Sequence, residues 1–486
     1  MIENPSDTIA AISTAVSESG IGIVRISGPD AIAAADRVYR SPGGKKHLPD
    51  VPSHTIHYGY ICDRDEKLID EVLVSVMRAP RTYTAEDTVE INCHGGILVM
   101  KKVLDAILSL NREHTDFPDD SGQIHVRAAQ PGEFTKRAFL NGRVDLSRAE
   151  AVMDLIEAKN EYALKNSVSQ IRGALYRKIT ALRSSILYEI AHIEASLDDP
   201  ENLDFTPQIS AFAEEIKAWK RELTALIDTA GDGRIVREGI RTVIVGKPNA
   251  GKSSLLNLLL GEERAIVTEI AGTTRDLLTE TIQLHGIPLI ITDTAGIRDT
   301  EDTVEKIGVE RAGQAVREAD LLLWMVDSSV PLDESDRRIA SLLTGRRSII
   351  LMNKSDLETV TTQEDVQRLL HQIQGQDHSG EEIILPISAR EGDGYDSFAG
   401  VLENLFFHGR LSWNDEVMIT NTRHKALLED ALAGLARVEE SLDAGMSEDF
   451  FSVDLMSAYE ALGRIIGEEV GEDLVDEIFS RFCMGK

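Results

Sequence analysis

The chain has 486 residues, 42% of them hydrophobic and 27% charged, the balance of an ordinary globular protein, and at roughly 150 residues per domain the length predicts about three domains. Eighty-two Asp and Glu against 51 Lys and Arg give a net charge of −31, a field that opposes loose, sequence-blind binding to nucleic acid or to an anionic membrane. Cys62, Cys93 and Cys483 are odd in number and far apart, which excludes a disulfide framework or a zinc site and fits a reducing cytoplasm. Residues 1–8 carry no signal-peptide pattern and no apolar run is long enough to span a membrane, so we expect a cytoplasmic protein without membrane contact.

Residues 1–145 read as a compact α+β domain. Strand-like runs occur at Ile21–Ile26, Thr55–Ile61, Val72–Met77 and Val89–Asn92, with helical patterns at Asp30–Tyr39 and Ile97–Leu110 and a polar loop from Asn111 to Gly122. From Ser147 the period changes. Apolar residues step by three and four from Leu164 to Leu197, and no proline lies between Pro131 and Pro200, which predicts one long amphipathic helix or two in succession. Phe212 to Thr229 continues the pattern, and the last 75 residues return to it. Between these helical blocks strands alternate with helices. The strands fall at Thr242–Val245, Leu289–Thr292, Leu321–Val326, Ile349–Met352 and Ile383–Ile387, and they predict a parallel, doubly wound sheet. The expected organisation is multidomain, α+β then all-α then α/β: a domain at 1–145, a discontinuous helical domain at 146–238 and 409–486, and an α/β domain at 239–408 inserted into it.

The strand Thr242–Val245 is followed by Gly246-Lys-Pro-Asn-Ala-Gly251-Lys252-Ser253 and then an apolar helix. This is the phosphate-binding GxxxxGKS in its required strand–loop–helix setting. The glycines let backbone N–H groups ring the β-phosphate, the helix N-terminus adds its dipole, Lys252 reaches the β/γ oxygens and Ser253 offers a hydroxyl to Mg²⁺. Asp293-Thr294-Ala295-Gly296 follows the second strand, where a carboxylate serves the magnesium shell and a glycine N–H senses the γ-phosphate. Asn353-Lys354-Ser355-Asp356 follows the fourth. A carboxylate there accepts from both donors of a guanine edge, and adenine would leave it unpaired. Ser388-Ala389-Arg390 after the last strand matches a backbone contact to the guanine oxygen. Four motifs in this order make the nucleotide GTP. Thr274, within Ala271-Gly272-Thr273-Thr274-Arg275-Asp276, is expected to close the magnesium shell when γ-phosphate is present. The residue after Gly296 is Ile297, which cannot orient a water, and no arginine is placed as a finger. Another acid must act, and Asp299, Glu301, Asp302 and Glu305 all remain candidates.

Several stretches resemble the MnmE (TrmE) family of tRNA-modification GTPases. They are the phosphate loop, Ala271–Asp276, Asp293–Asp299, Gly22–Gly28, His94-Gly95-Gly96, Pro131–Asn141 and the tail Phe482-Cys-Met-Gly-Lys486, spread over the whole chain. The resemblance implies a Ras-like G domain at 239–408 and a potassium-dependent GTPase in which K⁺ stands where an arginine finger otherwise would. It assigns K⁺ to Asn249, Thr268, Ile270 and Thr273, and the water-orienting, catalytic role to Glu305. The GTP-binding set is Asn249, Ala250, Gly251, Lys252, Ser253, Ser254, Thr268, Glu269, Ile270, Ala271, Gly272, Thr273, Thr274, Asp293, Thr294, Ala295, Gly296, Asn353, Lys354, Asp356, Ser388, Ala389 and Arg390, with Ser253 and Thr274 also on Mg²⁺. The N-terminal domain resembles the family's tetrahydrofolate-binding and dimerisation domain. The 5-formyl or methylene folate would meet Arg25, Glu90, Arg143 and Lys486, the carboxylate pairing the pterin edge and the cations the anionic tail. Met484 stands where the commoner tail has isoleucine, a near volume-conserving change. Cys483 reads equally as a functional or a packed thiol.

The same resemblance implies a homodimer acting with MnmG, an FAD protein, to add an aminomethyl or carboxymethylaminomethyl group to carbon 5 of the wobble uridine of certain tRNAs. Given the charge of −31, the partner is expected to carry most of the tRNA contact. Two other readings are a ribosome-assembly switch that binds rRNA without modification chemistry, and a folate enzyme with a regulatory GTPase domain. The first predicts a basic RNA-binding appendage, which the sequence lacks.

Overall fold

The structure, a computed structural model, describes residues 7–112, 124–199, 208–262, 279–284, 287–293, 315–374, 383–407, 417–468, 470–483 and 485. The chain divides into two compact units. One comprises residues 1–153, 170–199 and 455–486, the other residues 154–169 and 200–454.

The first unit is built on a seven-stranded sheet. Its strands are β1 (Thr8–Ile12), β2 (Ser19–Ser27), β3 (Tyr39–Arg40), β4 (Thr55–Cys62), β5 (Leu68–Met77), β6 (Thr88–Gly95) and β7 (Val126–Ala128), in the order β3-β4-β5-β6-β2-β1-β7. All pairs are antiparallel except β1 with β7. Alternation decides the faces. His57, Gly59 and Ile61 of β4 and Val72, Val74 and Val76 of β5 point inward. They meet a core closed by the helices Ala31–Val38 and Ile97–Leu108, which contribute Ala34, Ala35, Met100 and Val103. Ile56, Tyr58 and Leu73 point outward and are exposed.

Strands β1, β3 and β7 are absent from the sequence reading. Thr-Ile-Ala-Ala-Ile (8–12) is buried on both faces, Ala10 in the main core and Ile9 and Ala11 against Ala129 and Phe134. A strand with no solvent face has no alternation to betray it. The amphipathic stretch expected as one or two helices is two, Glu161–Ile171 and Ala174–Asp198, separated at Gly173 with φ +81°. Glycine supplies that left-handed step at little cost, so the break needs no proline.

The second unit carries a six-stranded sheet. Its strands are β8 (Ile240–Gly246), β9 (Thr279–Leu284), β10 (Ile287–Asp293), β11 (Leu321–Asp327), β12 (Ser348–Asn353) and β13 (Ile383–Pro386), in the order β13-β12-β11-β8-β10-β9. The expected parallel sheet spans β13 to β10, and β9 pairs antiparallel with β10 at the edge. Successive residues of one strand feed two cores. Ile244, Leu323, Met325 and Leu351 enter the first, and Val245, Leu322, Trp324 and Met352 enter the second. That double burial produces unbroken apolar runs such as Leu321–Val326. The helix Ile209–Glu238 packs along Thr422–Asp443 and runs into β8 through Gly239, φ +90°. Its Ile235 and Val236, with Ala163, share the first core with the sheet. Among the described residues no helix is long and apolar enough to cross a membrane.

Candidate nucleotide site and N-terminal pocket

Strand β8 lies between β11 and β10, and from it the chain winds to opposite sides of the sheet. That reversal opens a crevice at the carboxyl ends of the strands. The loop from Gly246 to Gly251 occupies this end, and the helix Lys252–Glu262 begins there. Asn249 adopts a left-handed backbone, φ +63°, and its side chain is exposed; Gly251 has φ +102°. A Cβ on Gly251 would run into the Asn353 amide, so glycine is required by approach as well as by backbone angle. Lys252 Nζ donates to the carbonyls of Gly246 (2.7 Å) and Lys247 (2.8 Å). Ser253 and Ser254 are exposed on the first turn.

The guanine-side residues converge on this loop. Asn353 Nδ2 donates to the Ala250 carbonyl at 2.8 Å, and Asn353 Oδ1 accepts from the Ala389 N–H at 2.9 Å. One buried side chain therefore ties the phosphate loop to the Ser388–Arg390 turn. Ser388 Oγ donates to Asp356 Oδ1 at 2.7 Å, which orients the carboxylate expected to read the base. Lys354, φ +65°, donates to Asp327 Oδ2 at 2.5 Å. Burial pushes the Asp327 carboxyl up, yet hydrogen bonds from Lys354 and Ser329 outweigh it and hold the group below its ordinary value. Arg390 projects into solvent beside Glu391. The structure thus brings together Asn249, Ala250, Gly251, Lys252, Ser253, Ser254, Asn353, Lys354, Asp356, Ser388, Ala389 and Arg390 at one end of the sheet. Thr268, Glu269, Ile270, Ala271, Gly272, Thr273, Thr274, Thr294, Ala295, Gly296 and Glu305 lie outside the described residues, as does the side chain of Asp293 at the end of β10.

In the first unit Arg25 and Glu90 stand opposite each other across β2 and β6. Glu90 Oε1 accepts from Arg25 Nε and Nη2, each at 2.8 Å. The guanidinium lies between the rings of Tyr83 (5.7 Å) and Phe134 (5.5 Å), and its Nη1 donates to the Gly485 carbonyl at 3.2 Å. Arg143 Nε donates to the Thr82 carbonyl at 2.5 Å. Burial raises the Tyr83 hydroxyl against the opposing fields of Arg25 and Arg143. Glu90, expected to meet a ligand, is already held by the cation beside it; Lys486 lies outside the described residues. Cys483 is exposed, and its carbonyl accepts from the Gly132 N–H at 3.3 Å. His94, exposed, is held above its ordinary pKa by a 2.7 Å hydrogen bond to Asp70.

Sequence reasoning missed what supports each site. Next to Phe134 in the chain, Glu133 accepts from Arg127 and Arg137, and Arg137 also reaches Asp7 and Glu86. Burial pushes the Glu133 carboxyl up, but Arg127 and the Gln130 N–H win and hold it below its ordinary value. Beside the phosphate loop Lys247 pairs with Asp333 and Asp336. Each has one local part, since Glu133 and Arg137 stand four residues apart on one helix and Asp333-Glu-Ser-Asp336 reads as a capping box at a helix start.

Comparison with known proteins covers the whole chain. Residues 8–143 match the family model described as GTP-binding protein TrmE N-terminus, and residues 146–483 match the MnmE helical domain. The tRNA modification GTPase MnmE of Lachnoclostridium phytofermentans is 50% identical over 99% of this chain and 100% of its own length. That of Geobacillus kaustophilus is 46% identical over 99% of both chains. Among solved structures, Era from Aquifex aeolicus bound to GDP·AlF4⁻ matches 40% of this chain and 65% of its own at 28% identity, with a TM-score of 0.27. With a phosphate loop at the carboxyl end of β8 and relatives of this likeness along its full length, the chain belongs to the MnmE family of tRNA modification GTPases, GTP-hydrolysing enzymes that act in tRNA modification.

Proposed function

We propose that this GTPase depends on potassium and works with an FAD-containing partner, MnmG, to place an aminomethyl or carboxymethylaminomethyl group on carbon 5 of the wobble uridine, using a folate one-carbon unit. Residues 1–145 bind the folate and dimerise, 146–238 and 409–486 form the helical domain, and 239–408 form the G domain. The observation that carries the reading is the phosphate loop itself. It ends β8 with an exposed Asn249 held in a left-handed backbone and Lys252 resting on two carbonyls of the loop. Ser253 and Thr274 would hold Mg²⁺, and Asn249, Thr268, Ile270 and Thr273 would hold K⁺. An exposed side-chain oxygen beside the β/γ position suits a hard, weakly bound cation. Bound there, such cations offset charge on the phosphoryl oxygens. Glu305 orients the attacking water.

Arg25, Glu90, Arg143 and Lys486 take the folate. The support is chemical: a largely buried carboxylate pairs with a guanidinium that lies over two aromatic rings, a fit for a flat heterocycle with a donor edge and an anionic tail. A homodimer is supported by the outer face of the N-terminal sheet. Tyr58 and Leu73 face each other across β4 and β5, with Ile56 beside them 65% exposed, an apolar patch that a second copy would cover. The protein works in the cytoplasm, away from membranes, and meets tRNA largely through the partner. GTP hydrolysis in KCl against NaCl, for the wild type and Glu305→Ala, tests the central point. Strong activity is expected only in potassium, with near loss in the variant, and equal rates in both salts would refute the cation's role.

A further inference from the structure

The phosphate loop contains a second lysine, and its ammonium is engaged on the far side of the loop. Lys247 Nζ lies 2.6 Å from Asp336 Oδ2 and 3.0 Å from Asp333 Oδ2. The lysine side chain is 16% exposed and that of Asp336 is 1% exposed. Both carboxylates are themselves fixed. Asp333 Oδ1 accepts from the N–H groups of Ser335 (2.8 Å) and Asp336 (3.3 Å), and Asp336 Oδ2 accepts from the Asp333 N–H (2.9 Å). They form a reciprocal cap on the helix Glu334–Leu342, whose Ala340 is anchored in the core. The helix dipole and the capping bonds localise the two anions before Lys247 arrives.

The backbone of the same lysine faces the chemistry. Its carbonyl and that of Gly246 both accept from Lys252 Nζ, the ammonium placed to meet the β/γ oxygens. The second half of the loop is held by Asn353 through the Ala250 carbonyl. In the first half Gly246 has no side chain, and Pro248 and Asn249 are exposed. Lys247 is the residue there whose side chain is tied to a rigid element.

We propose that Asp333, Asp336 and Lys247 form a clamp that positions Lys252, anchoring the first half of the phosphate loop to the N-terminus of the helix Glu334–Leu342. The clamp also removes Lys247 as a competing charge, so that Lys252 alone answers the phosphates from within the loop. Neither carboxylate touches the nucleotide; both act through the loop. Loosening them should weaken a contact that tightens as charge builds on the transferring phosphoryl group, and so should reduce kcat more than it raises KM. The inference rests on reading residues 246–253 as the phosphate loop.

The test uses the full-length chain, with GTP hydrolysis, binding of a fluorescent GDP and thermal unfolding measured for Lys247→Met, Lys247→Arg, Asp333→Asn, Asp336→Asn and Lys252→Ala. Lys247→Met and Asp336→Asn should lower kcat about tenfold with KM within about twofold of wild type, the scale of a small misplacement of a catalytic group. Lys247→Arg, which still pairs with both carboxylates, should recover most of the rate, and the Met/Asn double variant should be no slower than either single. Should removal of Lys247 strand Asp336 and prevent folding, Asp333→Asn, at an exposed carboxylate, still reads kcat against KM. Unchanged kcat in folded variants would overturn the clamp, as would a Lys247→Arg rate no better than that of Met. If Lys252→Ala hydrolyses GTP normally, the loop reading itself fails, which is a separate result.

Discussion

The phosphate loop and the side chains gathered around Arg25 are assembled in opposite ways. The loop is shaped by its backbone, through the positive-φ residues Gly246, Asn249 and Gly251, and is held by one buried amide, Asn353. All of its own parts fall within eight consecutive residues. In the pocket the groups are side chains. Arg25, Tyr83, Glu90, Phe134 and Arg143, with the Gly485 carbonyl, come from four separate stretches of sequence, and they meet because β2 pairs with β6 and the tail lies beside β2. A backbone site is intolerant of a single added carbon and writes itself into the sequence as a motif. A side-chain site tolerates exchange and is written only in the register of a sheet.

That contrast has consequences of different size. The largest is at Lys252. Lys252→Ala should lower kcat/KM for GTP by about 10³ or more, measured by phosphate release, because one preorganised cation on the transferring group is removed. Next, Gly251→Ala should weaken binding of a fluorescent GDP about a hundredfold, since the new Cβ must displace the Asn353 amide from a left-handed backbone position. A normal affinity would erase the distinction between the two sites. Glu133→Gln should cost about 2 kcal/mol in urea unfolding near neutral pH, through loss of charged hydrogen bonds from Arg127 and Arg137. The same carboxylate fixes a sign. Its pKa is lowered in the folded state, so its contribution is present above the ordinary value of 4.5 and lost as pH falls below it. The gap between wild type and Glu133→Gln should therefore close on acidification. Smallest is Glu90→Gln, expected to weaken folate binding about tenfold by calorimetry while GTP hydrolysis stays at the wild-type rate.

The same distinction explains what could be read in advance. Strands β8, β10, β11 and β12 of the G-domain sheet announce themselves as apolar runs because both faces are buried, and the motifs sit at strand ends. Strand β9 escaped although Thr-Glu-Thr-Ile-Gln-Leu alternates and buries Ile282 and Leu284. A polar strand at a sheet edge has half the apolar signal of its neighbours. Thr8–Ile12 escaped for the reverse reason, being alanine-rich and enclosed. Arg25 and Glu90 carry recognisable chemistry, but their mutual pairing depends on residues 65 positions apart. The Glu133–Arg137 pair is local and Arg127 is only six residues from Glu133, whereas Asp7 and Glu86 are distant in sequence. Long-range ion pairs leave no mark on periodicity, and they are what fixes each site in place.

The junction at Gly239 gives the molecule a mechanical character. The helix Ile209–Glu238 has 30 residues and at 1.5 Å per residue is about 45 Å long. Near its end Arg234 grips Asp320 at 2.8 Å, and Asp320 exchanges hydrogen bonds with the backbone of Arg241. Asn160 fastens the Val236 carbonyl at 2.7 Å. Torque applied along this rod therefore enters β8 and β11 together, as a wrench turns two bolts through one plate, instead of twisting the single strand that ends in the phosphate loop.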